Sequence, residues 1–387
     1  MNGVEFAKRI RGQSINLTQK ITDRAKARGA RGTIFLSIGV PNEPLEPRFL
    51  AQSVRALRQN RTAYTTTAGI PELREAVARR RPRFRTADNV LITAGASEAI
   101  FLVLASLINP GDEVVVISPS YFKYPRGTTF FSGKPVFVPL TIRDTSLDLD
   151  CELIEGAITA RTKLIVVNSP HNPTGWVASP AQLKRLVGIV EKHRLVLLSD
   201  EIYKDYSYER EFLSPEVYST RVIVVDGISK TFSATGLRIG WIIADREIID
   251  RILPVHQLTV FAAPTPFQWA AYQLYRRGFH AYTDSVRRRY RRRRDLVVER
   301  LGANGMLEVP KPGGAFYVFP RFPNRDSAKF SDALLQRERV VVVPGGDFGA
   351  QWTDYFRIAY GQPERTLVEA CRRINRLVQE WGPSSQG

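Results

Sequence analysis

The chain contains 387 residues, of which 43% are hydrophobic and 24% charged, a composition that excludes disordered, collagen-like and low-complexity proteins. Its length predicts roughly two to three domains, and its two cysteines, Cys151 and Cys371, exclude a disulfide framework or a cysteine-rich zinc site. Lysines and arginines number 56 against 38 acidic residues, and the resulting net charge of +18 suits phosphates, carboxylates or polyanions as partners.

No apolar stretch approaches the roughly eighteen residues that a membrane span needs. The N-terminal residues lack the apolar core of a signal peptide. The four histidines form no H-E-x-x-H pattern and no close pair, which disfavours a histidine-based metal site. We therefore expect a soluble, cytoplasmic protein that needs neither a metal ion nor a membrane.

Seven short apolar runs, separated by helical patterns, dominate the first two thirds of the chain. They lie at residues 89–93, 113–117, 134–138, 163–167, 195–198, 221–225 and 240–244. Continuous apolar strands separated by helices indicate a mostly parallel sheet that is buried on both faces. The sequence therefore predicts an α/β fold, with a large domain over residues 46–285 in which helices sandwich this sheet.

The pattern changes after Tyr290. Strand candidates lie at residues 315–319, 340–343 and 356–360, and helical patterns at residues 331–337 and 365–379. These elements predict a smaller α+β domain over residues 286–387, and residues 1–45 are expected to pack with it.

Residues 287–294 read RRRYRRRR, seven arginines around one tyrosine. Such a run is found in nucleic-acid or polyanion patches and also on long exposed helix faces. One helical stripe collects the apolar residues of this region, which are Val286, Tyr290, Val297 and Leu301. Most of the arginines are therefore expected to point into water. No zinc-finger, basic-zipper or RNP pattern accompanies the run, which disfavours specific nucleic-acid binding.

Four polar clusters follow strands of the predicted sheet, at the edge where open α/β sheets bind ligands. In residues 93–97 (TAGAS), Gly95 permits a tight turn into a helix N-terminus that suits a phosphate, although many ordinary turns contain glycine. In residues 169–175 (SPHNPTG), the Asn172 amide can face a ligand, although turn chemistry alone explains these residues. No G-x-G-x-x-G pattern is present in these segments, which disfavours dinucleotide binding.

The other two clusters carry charged side chains. Residues 199–203 (SDEIY) place a carboxylate where it can hold a cationic ring nitrogen or a metal, or simply form an acidic turn and helix cap. In residues 227–240, Lys230 lies among small and apolar residues, and burial would lower its pKa and make the amine nucleophilic. Because a lone lysine is more often a surface residue, the specificity of the pattern comes from the combination.

Taken together and in this order, these segments resemble the class I/II aminotransferases, which are fold-type I pyridoxal-phosphate enzymes. SPHNPTG, SDEIY and GISKTFSATGLRIGW each resemble a family signature, and residues 62–77, 313–319 and 356–361 resemble the flanking segments. The resemblance covers about residues 36–376. It implies pyridoxal 5′-phosphate as cofactor, an amino acid and a 2-oxo acid as substrates, and a homodimer with shared active sites.

The resemblance implies a role for each matching residue. Lys230 matches the lysine that forms a Schiff base with the cofactor and later moves a proton between the substrate Cα and the cofactor C4′. Asp200 matches the carboxylate paired with the pyridine nitrogen, which keeps the ring protonated. Asn172 and Tyr203 match the donors to the ring 3-oxygen, and Tyr203 is included with the catalytic residues. Tyr121 matches an aromatic residue that stacks on the ring.

The phosphate of the cofactor has matching residues as well. Arg238 and the backbone at Gly95 and Ala96 match the phosphate cradle, with Ser97 counted among the cofactor-binding residues. Tyr64 matches a residue that reaches the phosphate of the neighbouring subunit, which is the reason for expecting a homodimer.

Arg357 matches the bidentate clamp for the substrate α-carboxylate, assisted by the Gly39 backbone and by Asn172. Two departures from the family pattern stand out. Many members have serine where this chain has Gly227, so either one hydroxyl ligand to the phosphate is missing or Ser229 compensates. Ser97 stands where some aspartate-using members carry a basic residue, which puts aspartate specificity in doubt.

The sequence leaves two alternatives to transamination. The same residues serve pyridoxal-phosphate enzymes of specialised metabolism that carry out cyclisation, elimination or oxidation at an amino acid, and a motif does not specify the outcome. A DNA-binding regulator with an aminotransferase-like ligand domain would need a further segment before the fold, and the family-like segments already begin near residue 36. We expect an aminotransferase that moves an amino group from an α-amino acid to a 2-oxo acid.

Overall fold

The computed structural model of the chain describes residues 5–10, 13–15, 17–27, 31–143 and 146–382. Its strands are β1 (Ile34–Phe35), β2 (Val90–Thr93), β3 (Glu113–Ser118), β4 (Lys134–Pro139), β5 (Thr141–Arg143), β6 (Ser146–Asp148), β7 (Thr162–Asn168), β8 (Val196–Asp200), β9 (Val222–Gly227), β10 (Gly240–Ile243), β11 (Tyr317–Val318), β12 (Val340–Val341), β13 (Val343–Pro344) and β14 (Phe356–Ala359). Its α-helices are α1 (Leu17–Ala27), α2 (Pro47–Arg58), α3 (Pro71–Ala78), α4 (Ala96–Leu107), α5 (Lys123–Phe130), α6 (Cys151–Gly156), α7 (Pro180–Lys192), α8 (Arg246–Thr259), α9 (Thr265–Arg277), α10 (His280–Gly302), α11 (Ser327–Ala333) and α12 (Glu364–Glu380).

Seven of these strands form the central sheet, in the order β2-β10-β9-β8-β7-β3-β4. The strands from β9 to β4 in this order run parallel to one another, whereas β10 is antiparallel to both of its neighbours. Each of the seven predicted strands lies in this sheet, and the predicted α/β fold with a mostly parallel sheet is confirmed.

Alternate residues of the central strands supply two separate cores. On β3, Val115 and Ile117 pack into one buried apolar cluster, whereas Val114 and Val116 pack into a second cluster. Because successive side chains of a strand point to opposite faces, the two clusters lie on the two sides of the sheet. This burial on both faces is why the strands are continuous apolar runs in the sequence.

The C-terminal part carries a smaller antiparallel sheet in the order β11-β14-β13, and β1 pairs in parallel with β12 beside it. A third buried cluster, which includes Leu36, Tyr290, Phe356 and Ile374, packs α10 and α12 against these strands. The domain bounds stay a prediction, and the bound between residues 285 and 286 falls inside α10. None of the described helices is long and apolar enough to cross a membrane.

The arginine run lies on α10 and differs from its prediction at two positions. The predicted apolar stripe is buried, but Arg293 and Arg294 are buried as well, with 6% and 0% of their surface exposed. Arg293 pairs with Glu43 at 2.8 Å, and Arg294 pairs with Glu209 at 2.6 Å. Carboxylates from distant parts of the chain therefore compensate these two charges, which helix spacing alone does not predict.

Candidate active site

A cavity of about 220 Å³ opens at the carboxyl edge of the central sheet, where β7, β8 and β9 end. Open α/β sheets bind ligands at this edge because the loops after their strands converge there. Eleven of the predicted site residues line the cavity, namely Gly39, Ala96, Ser97, Tyr121, Asn172, Asp200, Tyr203, Ser229, Lys230, Arg238 and Arg357. The two that do not line it are Gly95, which contacts Arg238 from behind, and Tyr64.

Lys230 lies in the loop between β9 and β10, and its Nζ donates to the carbonyl oxygen of Gly39 at 2.6 Å. Burial lowers the pKa of Lys230 to about 8, and the positive charges of Arg357 and Arg238 act in the same direction. At that pKa roughly a tenth of the amine is neutral at pH 7. The side chain is therefore available as a nucleophile and as a proton carrier.

Asp200, the last residue of β8, is buried beneath the cavity. Burial raises its pKa to about 6, although hydrogen bonds from the Tyr124 hydroxyl, at 2.7 Å, and the Ile202 amide, at 3.2 Å, stabilise the carboxylate. Sequence reasoning missed Tyr124, which follows Tyr121 by three residues on the same turn into α5. Tyr121 packs edge-on against Tyr124 and is hydrogen-bonded to Ser97.

Arg357 lies on β14 and is held on two sides. Its Nη1 donates to Oδ1 of Asn172 at 2.9 Å, and its Nη2 donates to the carbonyl oxygen of Ser37 at 2.5 Å. Its Nε is buried without a hydrogen-bond partner. Because a buried donor without a partner is unfavourable, this guanidinium is suited to receive a carboxylate.

A pair of tyrosines closes the side of the cavity next to Gly39. The hydroxyls of Tyr203 and Tyr317 lie 2.7 Å apart, and the Tyr317 ring packs under the guanidinium of Arg357 at 4.7 Å. A Cβ on Gly39 would lie 2.1 Å from the Tyr317 hydroxyl, so any side chain there would displace the buried Tyr317 ring. Sequence reasoning missed Tyr317, although it lies in the GGAFYVF segment that resembles the family.

The turn before α4 and the loop before β10 meet behind the cavity. Arg238 Nη2 donates to the carbonyl oxygen of Ala94 at 3.0 Å. A Cβ on Gly95, whose φ is +83°, would lie 2.5 Å from Arg238 Nη2, and a Cβ on Gly240 would lie 2.5 Å from the Ala96 nitrogen. These two glycines permit a close approach that places a guanidinium beside the free amides of a helix N-terminus, a combination suited to an anion.

Position 227 has no room for a serine. A Cβ on Gly227 would lie 2.7 Å from the carbonyl oxygen of Ile239 and 2.8 Å from the Cα of Gly240, and both atoms belong to the backbone. Ser229, two residues further along, is buried and lines the cavity. Of these two positions, only residue 229 therefore presents a hydroxyl to the cavity.

Tyr64 lies on the surface, away from the other predicted site residues. It is 82% exposed, and its ring packs edge-on against Phe261 with 5.1 Å between the ring centroids. Within one chain, the structure therefore does not bring Tyr64 together with the other predicted site residues.

Comparison with known proteins gives consistent matches over nearly the whole chain. A family model described as aminotransferase class I and II matches residues 33–374. A probable aspartate/prephenate aminotransferase of Aquifex aeolicus is 34% identical over 97% of this chain and 99% of that protein. Aromatic-amino-acid aminotransferase 2 of Thermococcus litoralis is 33% identical over 92% of this chain and 94% of that protein.

Solved structures match to a similar extent. The aspartate aminotransferase of Thermus thermophilus, solved with maleate, has a TM-score of 0.91 and 34% sequence identity. That match covers 97% of this chain and 100% of the Thermus chain. An aromatic aminotransferase of Pyrococcus horikoshii has a TM-score of 0.86 and 32% identity, with 93% of this chain and 99% of that chain covered.

Proposed function

Because the chain belongs to the aminotransferases of class I and II, which transfer an amino group from an α-amino acid to a 2-oxo acid, we propose that it binds pyridoxal 5′-phosphate in the cavity. The observation that carries the proposal is the convergence of Lys230, Asp200 and Arg357 on one cavity. The relatives described above are all named aminotransferases, which favours transamination over cyclisation, elimination or oxidation.

The residues around the cavity fit the ring of this cofactor. Lys230 would bind its aldehyde carbon, and the buried carboxylate of Asp200 would hold the ring nitrogen. Asn172 accepts from Arg357 through Oδ1, which leaves its Nδ2 to donate to the 3-oxygen together with the Tyr203 hydroxyl. Tyr121 would flank the ring.

The residues at the start of α4 and in the loop before β10 fit the phosphate of the cofactor. Arg238 supplies a positive charge, and the amides of Ala96 and Ser97 at the start of α4 supply donors that have no partner within the helix. The close approaches at Gly95 and Gly240 support this assignment, because a methyl group at either position would separate the guanidinium from these amides. Ser229 adds a hydroxyl.

When bound, the cofactor supplies an electron-withdrawing ring that stabilises negative charge at the substrate Cα. Arg357 binds the substrate α-carboxylate and thereby orients the Cα–H bond, a positioning task for which a planar guanidinium is suited. The neutral amine of Lys230 would take the proton from Cα and deliver it to C4′. Asp200 would keep the ring nitrogen protonated.

We also propose that two copies of the chain form a homodimer in which Tyr64 of each copy completes the phosphate site of the other. What supports this is exposed apolar surface, because large apolar side chains grouped on a surface mark an interface. Leu258 is 86% exposed, and Phe261, which packs against Tyr64, is partly exposed as well. Sedimentation should give the mass of a dimer, and Tyr64→Phe should weaken binding of the cofactor. A monomeric protein with full cofactor affinity would contradict this part of the proposal.

The proposed function is tested by visible absorbance of the full chain after incubation with pyridoxal 5′-phosphate. We expect an absorbance band of lysine-bound cofactor, its conversion to the amine form of the cofactor by an amino acid, and its recovery with a 2-oxo acid. Lys230→Ala should lose the band and all turnover. The matched control is Lys163→Ala, which removes an exposed lysine on β7 and should change neither.

Two results would count against this assignment. If Lys230→Ala turned over at nearly the wild-type rate, the attachment site would lie elsewhere. If wild-type protein showed no cofactor band at any concentration, pyridoxal 5′-phosphate would not be the cofactor.

A further inference from the structure

The two peptide groups that meet at Ala94, next to the proposed phosphate site, are each held by a side chain. The Ala94 amide donates to Oε2 of Glu98 at 2.5 Å, and the Ala94 carbonyl oxygen accepts from Nη2 of Arg238 at 3.0 Å. Gly95 caps α4 and its amide donates to the carbonyl oxygen of Thr93 at 2.8 Å, whereas the amides of Ala96 and Ser97 have no partner within the helix and face the anion site described above. The direction in which these amides point therefore depends on the orientation of the two peptide groups at Ala94.

Glu98 is itself fixed by the neighbouring helix α8. Its Oε1 accepts from the hydroxyl of Thr259 at 2.7 Å and lies 3.1 Å from Nδ1 of His256. The side chain of His256 is completely buried, so its ring has little freedom to move away. Glu98 thus connects α8 to the turn before α4.

The charge of Glu98 does not attract a phosphate. Burial disfavours its ionised form, but hydrogen bonds from His256, Thr259 and the Ala94 amide outweigh this, and the pKa lies below its ordinary value. A carboxylate in the first turn of α4 repels a phosphate bound at the same helix end. Its contribution to phosphate binding must therefore be geometric.

We propose that Glu98, held by His256 and Thr259, is a positioning residue that fixes the peptide between Thr93 and Ala94 and thereby turns the amides of Ala96 and Ser97 toward the cofactor phosphate. The proposal rests on the proposed function, since it assigns Glu98 to the phosphate of pyridoxal 5′-phosphate. It implies that Glu98 acts on ligands that carry a phosphate and not on the ring.

The test compares two ligands that differ only in the phosphate. The full-length chain is titrated with pyridoxal 5′-phosphate and with pyridoxal, and the absorbance of the lysine-bound ligand gives both dissociation constants. For Glu98→Ala we expect about a tenfold weaker affinity for pyridoxal 5′-phosphate, because a hydrogen bond to a charged group is lost, and an unchanged affinity for pyridoxal. Glu98→Gln keeps an acceptor for the Ala94 amide and should restore most of the affinity.

Two further variants keep the test decisive. Thr259→Val removes one support of Glu98 at an exposed position, so it should fold normally and weaken pyridoxal 5′-phosphate binding about threefold without affecting pyridoxal. Glu152→Ala is the matched control, since Glu152 occupies the first turn of α6 far along the chain and forms an exposed ion pair with Arg185.

The outcomes separate this inference from the proposed function. Equal losses for both ligands in Glu98→Ala and Thr259→Val would mean a general structural role and would overturn the inference, as would no loss for either ligand. If the wild-type chain bound neither ligand, the cofactor assignment itself would fail.

Discussion

A methyl group added at Gly240 should both destabilise the fold and weaken the binding of the cofactor. A Cβ added there would lie 2.5 Å from the Ala96 nitrogen, 2.6 Å from the Gly95 carbonyl carbon and 2.8 Å from the Gly95 Cα. Ordinary van der Waals contact begins at 3.4 Å, so β10 and the turn before α4 must separate by about 0.9 Å. All three atoms belong to the backbone, so no side-chain rotation relieves the clash.

Overpacking of this kind destabilises a protein by about 1–3 kcal/mol. The same displacement carries the amides at the start of α4 away from Arg238, so we expect Gly240→Ala to bind pyridoxal 5′-phosphate at least about tenfold more weakly, a difference of about 1.4 kcal/mol. Urea denaturation of the chain without cofactor measures the first effect, and absorbance titration with the cofactor measures the second.

Gly188→Ala is the matched control. Gly188 lies within α7, an added Cβ there meets nothing within 4 Å, and alanine in place of a helical glycine stabilises by about 0.5–1 kcal/mol. The two variants should therefore move the free energy of unfolding in opposite directions. If Gly240→Ala matched the wild type within about 0.5 kcal/mol in both measurements, the inferred contact between β10 and the phosphate turn would be refuted.

Three other changes test the rest of the site. Tyr124→Phe removes a donor to Asp200, so the pKa of Asp200 rises and the acid limb of the pH–rate profile should move to higher pH; an unmoved limb would contradict this. Arg357→Lys keeps the charge but loses the planar fork, and steady-state kinetics should show KM for the amino acid raised by about tenfold to a hundredfold. Because the neutral amine of Lys230 is the reactive form, the rate of cofactor attachment should rise about tenfold per pH unit below pH 8 and level off above it, and a rate independent of pH would argue against Lys230.

The sequence predicts the central sheet and the polar residues at its carboxyl edge, because strands buried on both faces form continuous apolar runs whose polar ends stand out. Asn172 and Asp200 follow two such runs, and both line the cavity. The roles assigned to them came from the resemblance to a family and not from the pattern itself. The direction of β10 could not be predicted, because an apolar run has the same composition whichever way the strand runs.

Residues whose importance depends on distant partners could not be predicted either. Tyr124 contacts a carboxylate 76 positions along the chain, and nothing in its own segment marks that contact. Glu98 and His256, 158 positions apart, meet only because α4 and α8 pack together. From the sequence, Arg293 is predicted to be exposed like its neighbours, but in the fold it is paired with Glu43. Local spacing reveals which face of a helix is apolar, but it does not show which charges will be buried there.

The antiparallel direction of β10 limits where this chain can accept insertions near its site. A parallel strand would enter the sheet from the opposite edge after a crossover of about a dozen residues or more. Because β10 instead enters at the edge where β9 leaves, Lys230 and Arg238 share one loop, residues 228–239, which is closed by the β9–β10 ladder. Insertions between Asn172 and Asp200 can be absorbed by lengthening α7, whereas an insertion between Lys230 and Arg238 would push the amine and the guanidinium apart. Because of the direction of this strand, the residues of this part of the site lie close together in the sequence.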